Sequence, residues 1–149
     1  MIKIQKKDFN PQTEIKRLSN SKKDIGAIVS FVGLVRERSK GKRLVSMKIE
    51  QYSKMLKKEI AKIEERARNK WKLEDVIIIH RYGLLKPGDR IVLVVTASKH
   101  RKSAFGSCEF IIDWLKIKAP IWKEERSPSS GLWVKSRRDD FRKATEWKN

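Results

Sequence analysis

A chain of 149 residues is long enough to bury a core of its own and reads as a single domain spanning 1–149. Its 37 Lys and Arg against 18 Asp and Glu leave a formal charge of +19, which calls for an anionic substrate, an acidic partner or nucleic acid and says nothing of fold. One cysteine, two histidines and no apolar run of membrane-spanning length exclude an internal disulfide, a cysteine-based zinc site and a transmembrane helix.

The N-terminal MIKIQKKDF has no apolar stretch of the signal-peptide kind, so a cytoplasmic, reducing setting is expected. Met1 to Ile4 alternates as a short strand. Asn10 followed by Pro11 opens a helix through Leu18, an N-cap residue with proline at the first helical position. Ile25 to Val32 (IGAIVSFV) reads as a buried strand, and Arg36 follows where the chain leaves it. Glu37 to Arg43 (ERSKGKR) reads as a charged, mobile loop. Val45, Met47 and Ile49 alternate with polar residues as a half-buried strand does.

Leu56, Ile60, Ile63 and Ala67 recur at helical spacing between Lys54 and Trp71, with Lys, Glu and Arg on the other faces, so this helix covers a sheet. Val76 to Ile79 and Arg90 to Ala97 are read as paired strands. Between them Lys86-Pro87-Gly88-Asp89 fits a type II turn, with proline at its second position and glycine at its third. Ile121 to Arg126 and Leu132 to Lys135 form a hairpin joined through Ser127 to Gly131. A charged tail follows, with Phe141 and Trp147 as candidate anchors. Helices and strands do not alternate regularly, so the fold class is α+β with a largely antiparallel sheet and a C-terminal hairpin.

The stretch from Ser98 to Glu125 gathers most of the candidate chemistry. A helix capped by Ser98 and ended before Pro120 places Phe105, Cys108, Ile111, Ile112, Leu115 and Ala119 on a core face. Lys116 falls on the edge of that stripe, where a lysine either snorkels to water or sits half-desolvated with a lowered pKa. His100 and Arg101 lie in the first turn, where unpaired N–H groups favour an anion. Phe110 and Trp114 face away from the stripe and Trp122 follows, which points either to a subunit interface or to cover by the C-terminal segment. Cys108, on the core face, reads as a buried hydrophobe, and His80, ending VIIIH, as structural.

No phosphate-loop, dinucleotide, metalloprotease or serine-hydrolase motif is present, and no metal or cofactor is expected. The basic residues are spread along the chain instead of forming a stripe, so specific nucleic-acid binding is not expected either. Physics alone reaches a small-anion site with lysine acid–base chemistry.

The run HRYGLLKPGDRIVLVVTASKHRKSAFGSCEFIIDWLKIKAPIWKEE carries the patterns HRxGxLxxGD, SxHRxxAF and DxLKxxxPxWK, and GAIVSFVGLVR upstream fits GAxxxFxGxVR. Together these resemble the MoaE family, the large catalytic subunits of molybdopterin synthase. The resemblance implies an α/β hammerhead-like domain. It also implies transfer of sulfur from the C-terminal Gly-Gly thiocarboxylate of a small ubiquitin-like subunit to cyclic pyranopterin monophosphate, forming the dithiolene of molybdopterin. The implied assembly is a homodimer of large subunits within a heterotetramer. Carried over by motif, Arg36, His100 and Arg101 match the positions that hold substrate anions, Lys116 the essential lysine, Lys123 a second lysine, and Arg137 an arginine beyond the hairpin. Glu124 departs from the pattern, since many relatives carry a basic residue after the second lysine.

Overall fold

Two runs of β-branched residues, DVIIIHR and RIVLVVTAS, lie at the centre of the molecule and are buried almost end to end. The computed structural model describes residues 1–129, 131–134 and 138–147. Along these the order is β1 (Ile2–Gln5), α1 (Pro11–Ser21), β2 (Ala27–Leu34), β3 (Arg38–Ser39), β4 (Lys42–Arg43), β5 (Ser46–Gln51) and α2 (Ser53–Lys70). Then come β6 (Asp75–Arg81), β7 (Gly83–Leu85), β8 (Arg90–Ser98), α3 (Arg101–Lys118), β9 (Ile121–Arg126), β10 (Gly131–Val134) and α4 (Arg138–Glu146).

The first sheet has the order β1-β6-β8-β2, with β1 parallel to β6 and the other pairs antiparallel. Helices α2 and α3 cover one face around Leu56, Ile60, Ile63, Val76, Ile78, Val94 and Ile111, while α1 covers the other through Leu18 against Ile77, Ile79 and Val95. The second sheet, β10-β9-β5-β7, is antiparallel throughout and packs Met47, Ile49 and Leu85 against Val35 and Ile91. The α+β class and the antiparallel C-terminal hairpin are as expected.

Local signals act as their chemistry requires. Asn10 Oδ1 accepts from the Gln12 and Thr13 amides at 2.9 and 3.4 Å and caps α1. Gly88 takes φ of +90° and the Asp89 amide donates to the Lys86 carbonyl at 2.9 Å, the geometry of the expected type II turn. The four apolar residues assigned to the core face of α2 are all buried.

Four expectations are corrected. The strand read as buried is the edge strand β2, with Phe31 39% and Leu34 53% exposed. The charged loop contains the short hairpin β3–β4, turned through Lys40 and Gly41, both at positive φ. Ser98 is not the cap of α3: it is still paired in β8 and its hydroxyl donates to the Lys72 carbonyl at 2.9 Å, so His100 occupies the cap position. The buried face of α3 is also turned. Phe110 and Trp114 are buried and Phe105 is 63% exposed, because α2 and α4 pack on the Phe110 side. Trp71 of the α2 C-cap and Trp147 after α4 meet Phe110 edge-on, and Arg66 lies 4.1 Å over the Trp114 ring. Cover by the C-terminal segment, one of the two readings above, holds for Phe110 and Trp114, which share a cluster with Ala144 and Trp147, and not for Trp122, which stays 45% exposed.

Candidate functional site

Helix α3 runs back along β8 and separates the candidate residues into two groups. His100 and Arg101 stand exposed at its start, close to Ala27, the partner of Ser98 in β2. Gly26 fixes this corner. Its amide donates to the Ser98 carbonyl at 3.1 Å, and a Cβ there would lie 2.3 Å from the Lys99 carbonyl oxygen. Lys116 lies fifteen residues further along α3, about 22 Å away at 1.5 Å per residue.

The second group forms at the far end. Val35 is held by its amide donating to the Asp89 carbonyl (2.9 Å) and by the Gly88 amide donating to its own carbonyl (2.8 Å), and it is buried against Ile91 and Ile49. Exposed Arg36 therefore leaves the core where β8 begins, at the end of the molecule where α3 finishes. Ala119 turns extended ahead of Pro120, and Ile121 packs against both the helical core and the second sheet. That turn brings Lys123 of β9 near Lys116.

The two lysines differ from expectation. Lys116 is the open one, its side chain 51% exposed and paired with Asp140 of α4 at 3.1 Å. Lys123 is the desolvated one. Burial pushes its ammonium below the ordinary lysine range and the positive charge of Lys116 adds to that, while Asp140 and Glu125 oppose it. His80 belongs to the same neighbourhood: it is 4% exposed, and burial pushes its imidazole down to about 4, with the charge of Lys123 acting in the same direction. It is neutral at pH 7, and its Nδ1 lies 2.8 Å from the Arg81 carbonyl, so that nitrogen carries the proton.

Three members of this site were not singled out as such from sequence: Asp140, Glu125 and His80. The aspartate reaches Lys116 from 24 residues away, and His80 was read only as structural. Glu125 shares with Lys123 the alternation of a strand, and that alternation was a usable signal. Glu124 points to the opposite face, where it accepts from Arg126 at 3.0 Å, so the departure at this position does not alter the surroundings of Lys123. On that same outer face Trp122, Trp133, Tyr52, Tyr82 and Lys48 line an open groove of about 800 Å³. Arg137 lies outside the described residues.

Cys108 is buried and its thiol is pushed up to about 11 by that burial, which leaves it no role as a nucleophile. Among the described residues no cluster of His, Cys, Asp and Glu could hold a metal ion, and no helix is long and apolar enough to cross a membrane. The site can do proton transfer, nucleophilic attack by an amine and charge neutralisation at the Lys116–Lys123 end, and anion binding at the His100–Arg101 end.

A family model described as "MoaE protein" matches residues 4–118. The molybdopterin synthase catalytic subunit of Ralstonia nicotianae is 42% identical over 146 residues, covering 98% of this chain and 83% of that one. Among solved structures, the molybdopterin biosynthesis MoaE protein of Burkholderia ambifaria superposes with a TM-score of 0.85 at 40% identity, covering 100% of this chain and 98% of that chain. A protein–protein complex of subunits 1 and 2 of the molybdopterin-converting factor from Helicobacter pylori matches with a TM-score of 0.75 at 25% identity, covering 91% of each chain.

Proposed function

The chain belongs to the MoaE protein family, and from that premise we propose that it is the catalytic subunit of a molybdopterin synthase working in the cytoplasm. It moves sulfur from the C-terminal thiocarboxylate of a small ubiquitin-like subunit to cyclic pyranopterin monophosphate. The observation that carries this reading is a half-exposed Lys116, held by Asp140, whose charge acts on a desolvated Lys123. Sulfur transfer from a thiocarboxylate needs cations where negative charge develops and an amine able to accept a proton or attack an acyl carbon. Lys116 and Lys123 supply these, and the Arg36 guanidinium suits the phosphate of the substrate. The rival readings, a nucleic-acid module or an inactive scaffold, have net charge alone or nothing in their favour.

A single chain cannot close this site. Substrate held by His100 and Arg101 is about 22 Å from Lys116, too far for one pyranopterin to touch both. A second copy resolves the separation. Strand β2 is a free edge of its sheet, carries no charged residue and exposes Phe31 and Leu34. Because α2 flanks α3 on the Phe110 side, the opposite flank, with exposed Phe105 and Lys116, faces this edge. Two copies meeting edge to edge about a two-fold axis run their β2 strands, and their α3 helices, antiparallel. The start of one α3 then lies beside the end of the other, and His100 and Arg101 of one copy join Arg36, Lys116 and Lys123 of its neighbour. Small subunits deliver their tails to the two sites so formed, giving a heterotetramer.

Reconstitution with thiocarboxylated small subunit and cyclic pyranopterin monophosphate tests the assignment. Lys116→Ala is expected to bind the small subunit normally and form no dithiolene. A normal yield of molybdopterin from that variant would overturn it.

A further inference from the structure

Helix α4 is bound firmly to α3 at one end and reaches the lysine pair at the other. Ala144 is fully buried, Trp147 Nε1 donates to the buried carboxylate of Asp113 at 2.9 Å, and Lys70 approaches the Trp147 carbonyl at 3.5 Å. From this anchor the first turn of α4 presents two carboxylates with different surroundings. Asp139 is 81% exposed and 3.8 Å from Arg142, whereas Asp140 is 17% exposed with its Oδ1 3.1 Å from Lys116 Nζ.

We propose that Asp140 is a positioning residue for the lysine pair: it fixes the Lys116 ammonium opposite Lys123 and so gives the two lysines different tasks. Lys116 stays a permanent cation that receives developing negative charge, and Lys123 is the amine that gives up its proton and takes part as base or nucleophile. This rests on the reading of Lys116 and Lys123 as the catalytic lysines. The geometry supports the division. Two ammonium groups at close range cannot both stay charged cheaply, and a carboxylate bonded to one of them decides which does. Among the described residues, the other charged and titratable groups acting on Lys123 or its neighbourhood are Glu125 on β9 and the neutral imidazole of His80 on β6. Neither is hydrogen-bonded to Lys116 as Asp140 is.

The test is the pH dependence of single-turnover sulfur transfer, with thiocarboxylated small subunit and cyclic pyranopterin monophosphate. The Asp140 carboxylate opposes loss of the Lys123 proton, so Asp140→Asn lowers the pH at which Lys123 gives it up. The limb of the profile set by Lys123 is expected to move to lower pH, and the plateau to fall because Lys116 is no longer held in place. The rate constant at pH 8 should fall at least tenfold, while affinity for the small subunit stays within about twofold. Asp140→Glu should restore most of the rate and Asp139→Asn should change nothing. A wild-type profile in Asp140→Asn, with Lys116→Ala inactive, overturns the role of Asp140 and leaves the proposed function standing. An active Lys116→Ala removes the proposed function itself. A further measurement needs no substitution at α4: in the wild-type assembly, NMR of the Lys123 Nζ group should show it losing its proton below the ordinary lysine range, and an ordinary or raised value overturns the proposal.

Discussion

His80, buried on β6 with an imidazole pushed down to about 4, makes the stability of this chain depend on pH in a defined window. The unfolded chain takes up the proton near 6.5, well before the folded one does. Stability is therefore complete above pH 6.5 and falls as the pH drops toward 4, by an amount up to about 3 kcal/mol. Urea unfolding at a series of pH values should show this fall, and His80→Asn should flatten it between pH 6.5 and 5. At this scale the chemical identities were legible in the sequence: Arg36, His100, Arg101, Lys116 and Lys123 are conspicuous by motif and by position at element ends. Their environments were not. Spacing placed Lys116 at the edge of a stripe, but whether an edge is dry depends on what packs there. Packing around β9, which no spacing rule reports, made Lys123 and not Lys116 the more desolvated lysine.

The start of α3 shows how one element depends on another's backbone. Gly26 touches the Lys99 carbonyl closely enough that a methyl group would have to displace the backbone between β8 and α3. Gly26→Ala is expected to cost about 1–3 kcal/mol, read as a lower urea midpoint. It should also weaken substrate binding through His100 and Arg101, which a binding titration would detect. Elements set by local chemistry were readable from sequence: the Asn10 cap, the Gly88 turn and the four-residue stripe of α2. What failed was set from outside. Helix α3 is apolar around most of its circumference, so several stripes competed, and the positions of α2 and α4 decided that Phe110 and Trp114 go inward and Phe105 outward. In the same way IGAIVSFV has the composition of a central strand, and only the sheet order makes β2 an edge.

For the whole molecule, the charge of +19 favours fast encounter with any acidic partner, with a rate that falls as salt rises. The proposed division of the site between two copies has a sharper signature. Arg101→Ala and Lys116→Ala, each with little activity below substrate saturation, should complement each other when mixed and allowed to exchange subunits. Half of the dimers then contain one copy of each, and each of these has one intact site, so about a quarter of wild-type activity returns. Recovery of none would place both residues in a single-chain site. The seam also has a middle. The eight residues of β2 centre on Ser30 and Phe31, and in the proposed dimer the side chains there would face their own duplicates about the two-fold axis. A Phe31→Lys change would set two ammonium groups against each other, and its energetic effect on association would count twice for one altered codon. In such a dimer the residues least able to drift in evolution need not be those that touch substrate: in the middle of β2 a mutation would have no unmutated neighbour to compensate it.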